Sequence, residues 1–201
     1  MNRKRIIKEA SEMFYAVGFK TLTMDDIANQ LSMSKKTLYE LFGSKENLIK
    51  EVLQYSFEDI QENFSKIQGE NLDAVEELIL LKQYVDKKYN SAQRQSCLYQ
   101  LQRYYAKLYQ KIFMAEHHKI IARLENNFKK GKEQGLYRET IVPEIYASLY
   151  FETQTSLKKY NNFNMNLEKQ YEMAEIHADI FIRGILSAEG LKRYEQITTT
   201  S

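Results

Sequence analysis

The scarcity of chain-breaking residues is the feature that most restricts how this chain can fold. Its 201 residues include only one proline and seven glycines. An all-β sandwich needs many tight turns, and glycine and proline dominate such turns. Long helices are therefore expected, and the length allows one or two domains with a substantial core. The sequence predicts an all-α fold.

Apolar residues in the first fifth of the chain recur at three- and four-residue steps, which is typical of helices that bury one face. The first helix is expected to end at Gly18, and Thr23 with Asp26 forms a capping-box pattern that starts the second. Ser34 is the candidate N-cap of a short third helix. Three helices joined by tight turns are predicted, followed by a longer helix over residues 44–68.

The middle of the chain shows the same periodicity over longer stretches. One predicted helical stripe consists of Leu98, Leu101, Tyr105, Leu108 and Ile112, and a second consists of Ile120, Ile121, Leu124 and Phe128. Gly131 and Gly135 then indicate a turn.

Two helices are predicted in the C-terminal quarter. Pro143 stands where a first-turn proline is tolerated and opens a helix over residues 144–160. The polar segment 161–166 is expected to link it to a last helix over residues 167–188. Residues 196–201 are expected to fray.

Residue types that carry catalysis or metal chemistry are sparse. Cys97 is the only cysteine, which excludes an internal disulfide framework and a cysteine-based zinc site. His117 and His118 would point about 100° apart on a helix, so they are poorly placed to share one ion. The sequence has no nucleophile elbow, P-loop, HExxH or glycine-rich dinucleotide loop. We therefore expect neither an enzyme nor a resident metal or cofactor.

The chain gives no sign of membrane targeting. No stretch approaches eighteen consecutive apolar residues, and the basic start is not followed by an apolar signal core. A single cysteine suits a reducing compartment. The expectation is a soluble cytoplasmic protein without a membrane partner.

Residues 23–42 have the arrangement of a helix-turn-helix, with two short amphipathic helices separated by a short turn. The second helix is predicted to bury Leu38 and Phe42 and to present an outer face of Lys35, Lys36, Thr37 and Glu40. Such a helix fits the major groove, where Lys donates to guanine, Thr contacts the thymine methyl and Glu accepts from cytosine. Free backbone N–H groups after Ser34 suit a phosphate. Nine Lys or Arg against six Asp or Glu in the first fifty residues agree weakly with a surface for double-stranded DNA there.

The run from Ile6 to Ile49 resembles the DNA-binding domain of the TetR (tetracycline-repressor-like) family of transcriptional regulators. The residues that carry the resemblance are Ala10, Phe14, Gly18, Thr21, Thr23, Ile27, Ala28, Ser34, Thr37, Leu38, Tyr39, Phe42, Ser44, Lys45, Glu46 and Leu48. Three positions depart from the family pattern. Ser32 replaces the usual turn glycine, Lys36 replaces a small residue, and Leu41 replaces an aromatic residue or histidine.

The resemblance implies a division of the chain into domains. A helix-turn-helix DNA-binding domain would occupy residues 1–48, and the helix over residues 44–68 would connect it to the rest. A helical ligand-binding and dimerisation domain would occupy residues 69–190, followed by a tail over residues 191–201.

The resemblance also implies roles for individual side chains at the DNA. Tyr39 and Lys45 would hold phosphates, and Thr23 would cap its helix beside the DNA backbone. The bases or their adjoining phosphates would be faced by Lys35, Lys36 and Thr37. Glu40 is either a base reader or a solubilising residue. A short arm along the phosphates or minor groove could be formed by Arg3, Lys4 and Arg5.

The last predicted helix is apolar on two sides, so it has to be buried both in its own core and against something else. The predicted dimer interface combines its second stripe with two residues of the preceding helix: Met173, Ile176, Ile180, Ile145 and Leu149. Two helices from each subunit would form a four-helix interface with twofold symmetry. Recognition helices one DNA turn apart, about 34–36 Å, would let this homodimer read a near-palindromic operator.

Tyrosine is abundant, with fifteen in the chain, and many fall in the middle helices. Aromatic walls with hydroxyl tips suit a mostly apolar pocket, although large aromatics also fill ordinary helical cores. The predicted lining is Tyr84, Leu101, Tyr104, Tyr105, Leu108 and Phe113. The expected effector is an unidentified, largely apolar or aromatic small molecule that shifts the helix leading out of the DNA-binding domain.

Several functional alternatives stay open at this point. Repression by promoter occlusion is the commoner mode that the resemblance implies, with activation as the alternative. Another reading keeps the fold without a small-molecule sensor, as in an architectural or division-control factor. A third is a helical protein-interaction module, in which the lysines of the third helix would be dispensable.

Overall fold

The computed structural model describes residues 2–89, 91–158 and 166–199. Within these ranges the secondary structure consists of ten helices and one isolated antiparallel bridge between Tyr137 and Leu186. The helices are α1 Arg3–Val17, α2 Met24–Gln30, α3 Lys35–Phe42, α4 Lys45–Gly69, α5 Ala74–Tyr89, α6 Ala92–Tyr104, α7 Ala106–Glu133, α8 Pro143–Leu157, α9 Leu167–Ile185 and α10 Ala188–Thr199. The predicted all-α fold is confirmed. None of the helices in the described ranges is both long and apolar enough to cross a membrane.

The chain forms two compact units. The first comprises Met1–Asn63 with Ser91–Ala115, and the second comprises Phe64–Asn90 with Glu116–Ser201. The first unit therefore holds α6 and the start of α7 in addition to the predicted DNA-binding domain.

The first four helices share one apolar core in the first unit. Each of them buries large side chains there: Ile6, Phe14, Ile27, Leu38, Phe42, Leu48 and Val52. The rings of Phe14 and Phe19 stack at 5.0 Å between centroids, which extends this core into the loop after α1. Burial of one such side chain stabilises a fold by about 1.5–3 kcal/mol, so the short helices depend on the shared core.

The predicted caps of α2 and α3 are confirmed. The Thr23 hydroxyl accepts from the Asp26 N–H at 3.1 Å, and the Asp26 carboxylate accepts in return from the Thr23 N–H at 2.9 Å. The Ser34 hydroxyl accepts from the Thr37 N–H at 3.0 Å. These bonds satisfy N–H groups that have no partner within their own helix.

The turn between α2 and α3 is closed by backbone bonds around Ser32. Met33 N–H donates to the carbonyl of Ala28 at 2.9 Å, as in a Schellman motif. This geometry places Ser32 at φ 50°, in the left-handed region that favours glycine. Serine at this position therefore carries backbone strain.

One helix that the sequence predicts as continuous is broken in two. The stripe from Leu98 to Ile112 was expected on a single helix, but α6 ends at Tyr104 and α7 begins at Ala106. Tyr105 between them adopts φ −128° and ψ 35°. Tyr105 itself keeps both backbone bonds across the break, because its N–H donates to the Leu101 carbonyl and its carbonyl accepts from Tyr109 N–H, both at 2.9 Å.

The second unit packs around Tyr137. Its buried hydroxyl lies within donating distance of two acceptors, the Ala74 carbonyl and the Asn127 amide oxygen, both at 2.9 Å. Gly131 was predicted at a turn but lies inside α7, where a Cβ would be 2.2 Å from the Tyr137 ring. Its small size thus permits close packing, whereas Gly135, at φ 69°, makes the turn.

The C-terminal prediction is wrong in two respects. The helix expected over residues 167–188 ends at Ile185, and residues 191–199, expected as a tail that frays from residue 196, belong to α10. Arg193 holds α10 in place, because it donates to Asp73 at 2.6 Å and to Glu76 at 2.9 Å. In the preceding region α8 begins at Pro143, close to its predicted start, while Tyr160 and the predicted link over residues 161–165 lie outside the described residues.

Replacing Ser32 by glycine should stabilise the protein. Relief of the left-handed strain outweighs the extra freedom that glycine gives the unfolded chain, so we expect a gain of about 0.5–1 kcal/mol. Chemical denaturation measures the difference. As a control, Ser96→Gly in the exposed middle of α6 should cost about 0.5 kcal/mol. A loss of stability in Ser32→Gly would contradict the assigned strain.

The capping box should make α2 sensitive to acid. The Thr23 hydroxyl and N–H both donate to the Asp26 carboxylate and hold its pKa below the ordinary 3.8. Because the folded pKa is lowered, the stabilisation is present above pH 3.8 and is lost as the pH falls through the folded pKa. The stability gap between the wild type and Asp26→Asn should therefore shrink below that pH. An unshifted Asp26 pKa in an NMR titration would rule this out.

Candidate DNA interface

The outer face of α3 carries the side chains that were predicted to meet DNA. Leu38 and Phe42 are buried, whereas the residues between and before them are exposed: Lys35, Lys36, Thr37, Tyr39 and Glu40. The cap at Ser34 leaves the N–H groups of Lys35 and Lys36 without a partner in the helix, as in any first turn. This end of α3 therefore combines cations with free N–H donors, and its assigned roles at DNA stay predictions.

The two lysines of this face differ in how they are paired. Lys35 forms an ion pair with Asp25 of α2 at 2.8 Å, and the hydrogen bond to Asp25 raises the pKa of Lys35. The Lys36 side chain is 86% exposed and lies 3.9 Å from Glu40 one turn later. Exposed pairs at this distance contribute little, so Lys36 is the cation more readily available to DNA.

Lys45 at the start of α4 fixes the loop after α1. Its ammonium donates to the Lys20 carbonyl at 3.1 Å. The side chain is half-buried, and the loss of solvent lowers the pKa of Lys45. Its predicted phosphate contact remains a prediction, and the same is true of Thr23, whose hydroxyl is engaged in the capping box.

The predicted DNA arm at the start of the chain is helical, and its contact with DNA stays a prediction. Arg3, Lys4 and Arg5 form the first turn of α1, because Asn2 caps the helix by accepting from Lys4 N–H at 3.2 Å. Arg3 is also held in place, since it forms a bidentate pair with Glu51 and donates to the Leu41 carbonyl at 2.7 Å.

Four residues on one stripe of α6 contact the end of α1 and the loop after it, and sequence reasoning missed this contact. Gln93 and Cys97 donate to the carbonyls of Ala16 and Tyr15, which end the α1 ladder. Gln100 accepts from Lys20 N–H at 3.1 Å, and Tyr104 accepts from the Lys20 ammonium at 3.2 Å. The spacing of these four residues, at steps of four, three and four, is the helical signal that could have indicated a shared face. We call this set the α6 polar stripe.

The predicted pocket residues are divided between the two units. In the first unit Tyr104 is 44% exposed and accepts a hydrogen bond from Lys20, and its pocket role stays a prediction. Tyr84 belongs to the second unit, where it packs edge-on against Phe64 at 6.2 Å.

The other members of that set lie in the first unit. Leu101 is fully buried, and Tyr105, Leu108 and Phe113 are partly buried. Phe113 stacks on Tyr109 at 5.6 Å, and burial raises the pKa of Tyr109 to about 12. These four residues keep their pocket role as a prediction.

An apolar surface is exposed on α8 and α9, two helices that pack against each other. Four large aliphatic side chains on it are between 53% and 64% exposed: Ile145, Leu149, Ile176 and Ile180. The fifth predicted interface residue, Met173, is partly buried. Gly184, one turn beyond Ile180, has nothing within 4 Å of the position that a Cβ would take. We call this set the α8–α9 apolar surface.

Comparison with known proteins agrees with this geometry. Residues 6–52 match the family model of bacterial regulatory proteins, tetR family. The chain is 26% identical over 196 residues to the uncharacterized HTH-type transcriptional regulator YvaF of Bacillus subtilis, an alignment that covers 92% of this chain and 96% of YvaF.

Solved structures share the fold across most of the chain. A transcriptional regulator from Cytophaga hutchinsonii superposes with a TM-score of 0.72 at 20% identity, covering 92% of this chain and 98% of the other. A TetR-family regulator from Agrobacterium tumefaciens has a TM-score of 0.67 at 14% identity, covering 92% and 97%. Residues 6–52 therefore match the DNA-binding domain of the TetR family, and the chain is similar in sequence to an HTH-type transcriptional regulator and in fold to TetR-family regulators over most of its length.

Proposed function

We propose that the protein acts as a homodimer that represses transcription from a near-palindromic operator and releases it in response to a small-molecule effector. The observation that carries the proposal is the coexistence of two surfaces. One is the lysine-bearing outer face of α3, and the other is the α8–α9 apolar surface.

The apolar surface supports twofold association. Soluble monomers rarely expose contiguous large aliphatic side chains, and patches of this kind mark interfaces. Two packed helices from each subunit can form a four-helix contact, in which the same surface meets itself. Gly184 permits close approach of the α9 backbones because nothing occupies the space beside it. These features support homodimerisation through α8 and α9.

Dimerisation explains how short helices can select an operator. One α3 helix offers a few base contacts, each worth about 1–3 kcal/mol of discrimination. Two copies about 34–36 Å apart reach successive major grooves on one side of the duplex. We assign base or adjoining phosphate contacts to Lys35, Lys36, Thr37 and Glu40. Phosphate contacts that set the register are assigned to Thr23, Ser34, Tyr39 and Lys45.

The α6 polar stripe supports an effector response. Its contacts with the end of α1 give the DNA-binding domain a firm attachment to α6. Effector binding among the middle helices would shift α6 and α4 and change the separation of the two α3 helices. The effector acts only through its different affinity for the two states, typically about 1–3 kcal/mol. We expect a largely apolar or aromatic molecule, held in part by Leu101, Tyr105, Leu108 and Phe113.

Replacing Lys36 by alanine should weaken specific DNA binding. The exposed ammonium is lost without disturbing the core of α3, so affinity for a duplex selected from a random library should fall about tenfold. The salt dependence should also flatten, because one fewer counterion is released. A fluorescence salt titration measures both. Lys192→Gln on α10 is the charge control, and unchanged binding by Lys36→Ala would exclude this role for Lys36.

Replacing Ile180 by aspartate should produce monomers. The carboxylate would have to be desolvated within an apolar interface, and the nearby cation on α9, Arg183, is already paired with Asp179. Sedimentation velocity at micromolar protein should show the monomer, together with a loss of affinity for the full operator. Met114→Asp, which changes another exposed apolar side chain, on α7, should remain dimeric. A dimeric Ile180→Asp protein would refute the interface.

A further inference from the structure

A cationic cluster lies beside the helix-turn-helix but outside it. The Lys20 ammonium donates to the Tyr104 hydroxyl at 3.2 Å and lies 4.3 Å from the centroid of the same ring. The Arg103 guanidinium lies 5.5 Å from that centroid. Two cations thus share one aromatic ring, which itself is exposed to solvent.

The backbone that carries Lys20 is fixed from two sides. Its N–H donates to Gln100 of α6, and its carbonyl accepts from Lys45 of α4, both at 3.1 Å. Gly18 allows this approach, because at φ 107° a Cβ would lie 2.5 Å from the Gln100 side chain. The backbone of Lys20 is therefore fixed before any ligand arrives, which reduces the conformational entropy that binding would lose.

The cluster borders the proposed DNA interface. Two residues near Lys20 are assigned to the DNA backbone. Lys45 donates to the Lys20 carbonyl, and Thr23 follows Lys20 by three residues in the sequence. In the same unit Arg3 is paired with Glu51 and Lys35 with Asp25, which partly neutralises those cations. Within the described ranges no acidic side chain forms an ion pair with Lys20. The positive charge of the Lys20 ammonium is therefore available to a ligand.

We propose that Lys20, Arg103 and Tyr104 bind a phosphate of the DNA backbone outside the stretch contacted by the helix-turn-helix, so that α6 itself contacts the operator. The proposal rests on the proposed DNA-binding function. Lys20 and Arg103 supply charged donors, and the Tyr104 hydroxyl, which accepts from Lys20, keeps its own proton to donate to a phosphate oxygen. A phosphodiester matches this set because it accepts from several donors and carries one negative charge.

The contact would also link the operator to α6 directly. Tyr104 belongs to the α6 polar stripe, and any displacement of α6 would move this phosphate contact together with the end of α1. DNA binding and the position of α6 would then influence each other reciprocally.

The test compares Lys20→Gln and Arg103→Gln with Lys192→Gln, an exposed charge control on α10. Two duplexes are used: one selected from a random library by the wild type with its flanking base pairs kept, and the same duplex trimmed to the half-sites. On the long duplex each cluster variant should bind three- to tenfold more weakly, and the slope of log affinity against log salt should fall by about 1. On the trimmed duplex the variants should match the wild type. Lys20→Arg should retain the long-duplex affinity, since it keeps the charge.

The outcomes separate this proposal from the function on which it rests. Equal affinity and slope for Lys20→Gln and Lys192→Gln, with Lys36→Ala still impaired, would overturn the phosphate contact alone. Weaker binding of both duplexes without a change in the salt slope would also overturn the phosphate contact. Lys20 would then act only by holding the loop after α1 against α6. A wild type that selects no sequence from the library would instead contradict the proposed operator binding.

Discussion

The short helix α3 depends on an apolar core that other helices of the first unit also form. α2 and α3 span seven and eight residues, and isolated helices of that length are unstable in water. α3 persists because Leu38 and Phe42 are buried, with the Arg3 guanidinium of α1 lying 4.5 Å from the centroid of the Phe42 ring, while Ser34 caps the first turn. The same burial decides which face remains outside. Because the apolar residues of α3 are buried, its lysines lie on the opposite face, which is exposed to solvent.

Local patterns in the sequence predicted the local features of the fold. The capping box of Thr23 and the cap at Ser34 each follow from residues a few positions apart, whereas the left-handed turn at Ser32 lies where the family resemblance places a glycine. Long-range contacts explain what was missed. Arg193 orders α10 by pairing with Asp73, 120 residues earlier, and Gly131 is required by the Tyr137 ring rather than by a turn. The break at Tyr105 has neither glycine nor proline to signal it.

The candidate site shows the same division. Amphipathic spacing was enough to predict the outer face of α3 and the exposed side chains of α8 and α9. Ion pairing was not predictable, because the partner of Arg3 is Glu51, 48 residues away. Composition was a poor guide to a pocket for a related reason. A tyrosine can face solvent and hold a lysine, as Tyr104 does, and its abundance alone does not distinguish this from a pocket wall.

The α6 polar stripe sets the energy scale on which regulation would operate. The last carbonyls of a helix need partners, and two of those at the end of α1 take theirs from α6. A hydrogen bond of this kind contributes about 0.5–1.5 kcal/mol net, and leaving a buried group unpaired costs about 1–3 kcal/mol. Regulatory couplings are of the same order, about 1–3 kcal/mol. Under the proposed function, a change in two or three bonds between α6 and the end of α1 would be of the size needed to couple an effector to the orientation of α3.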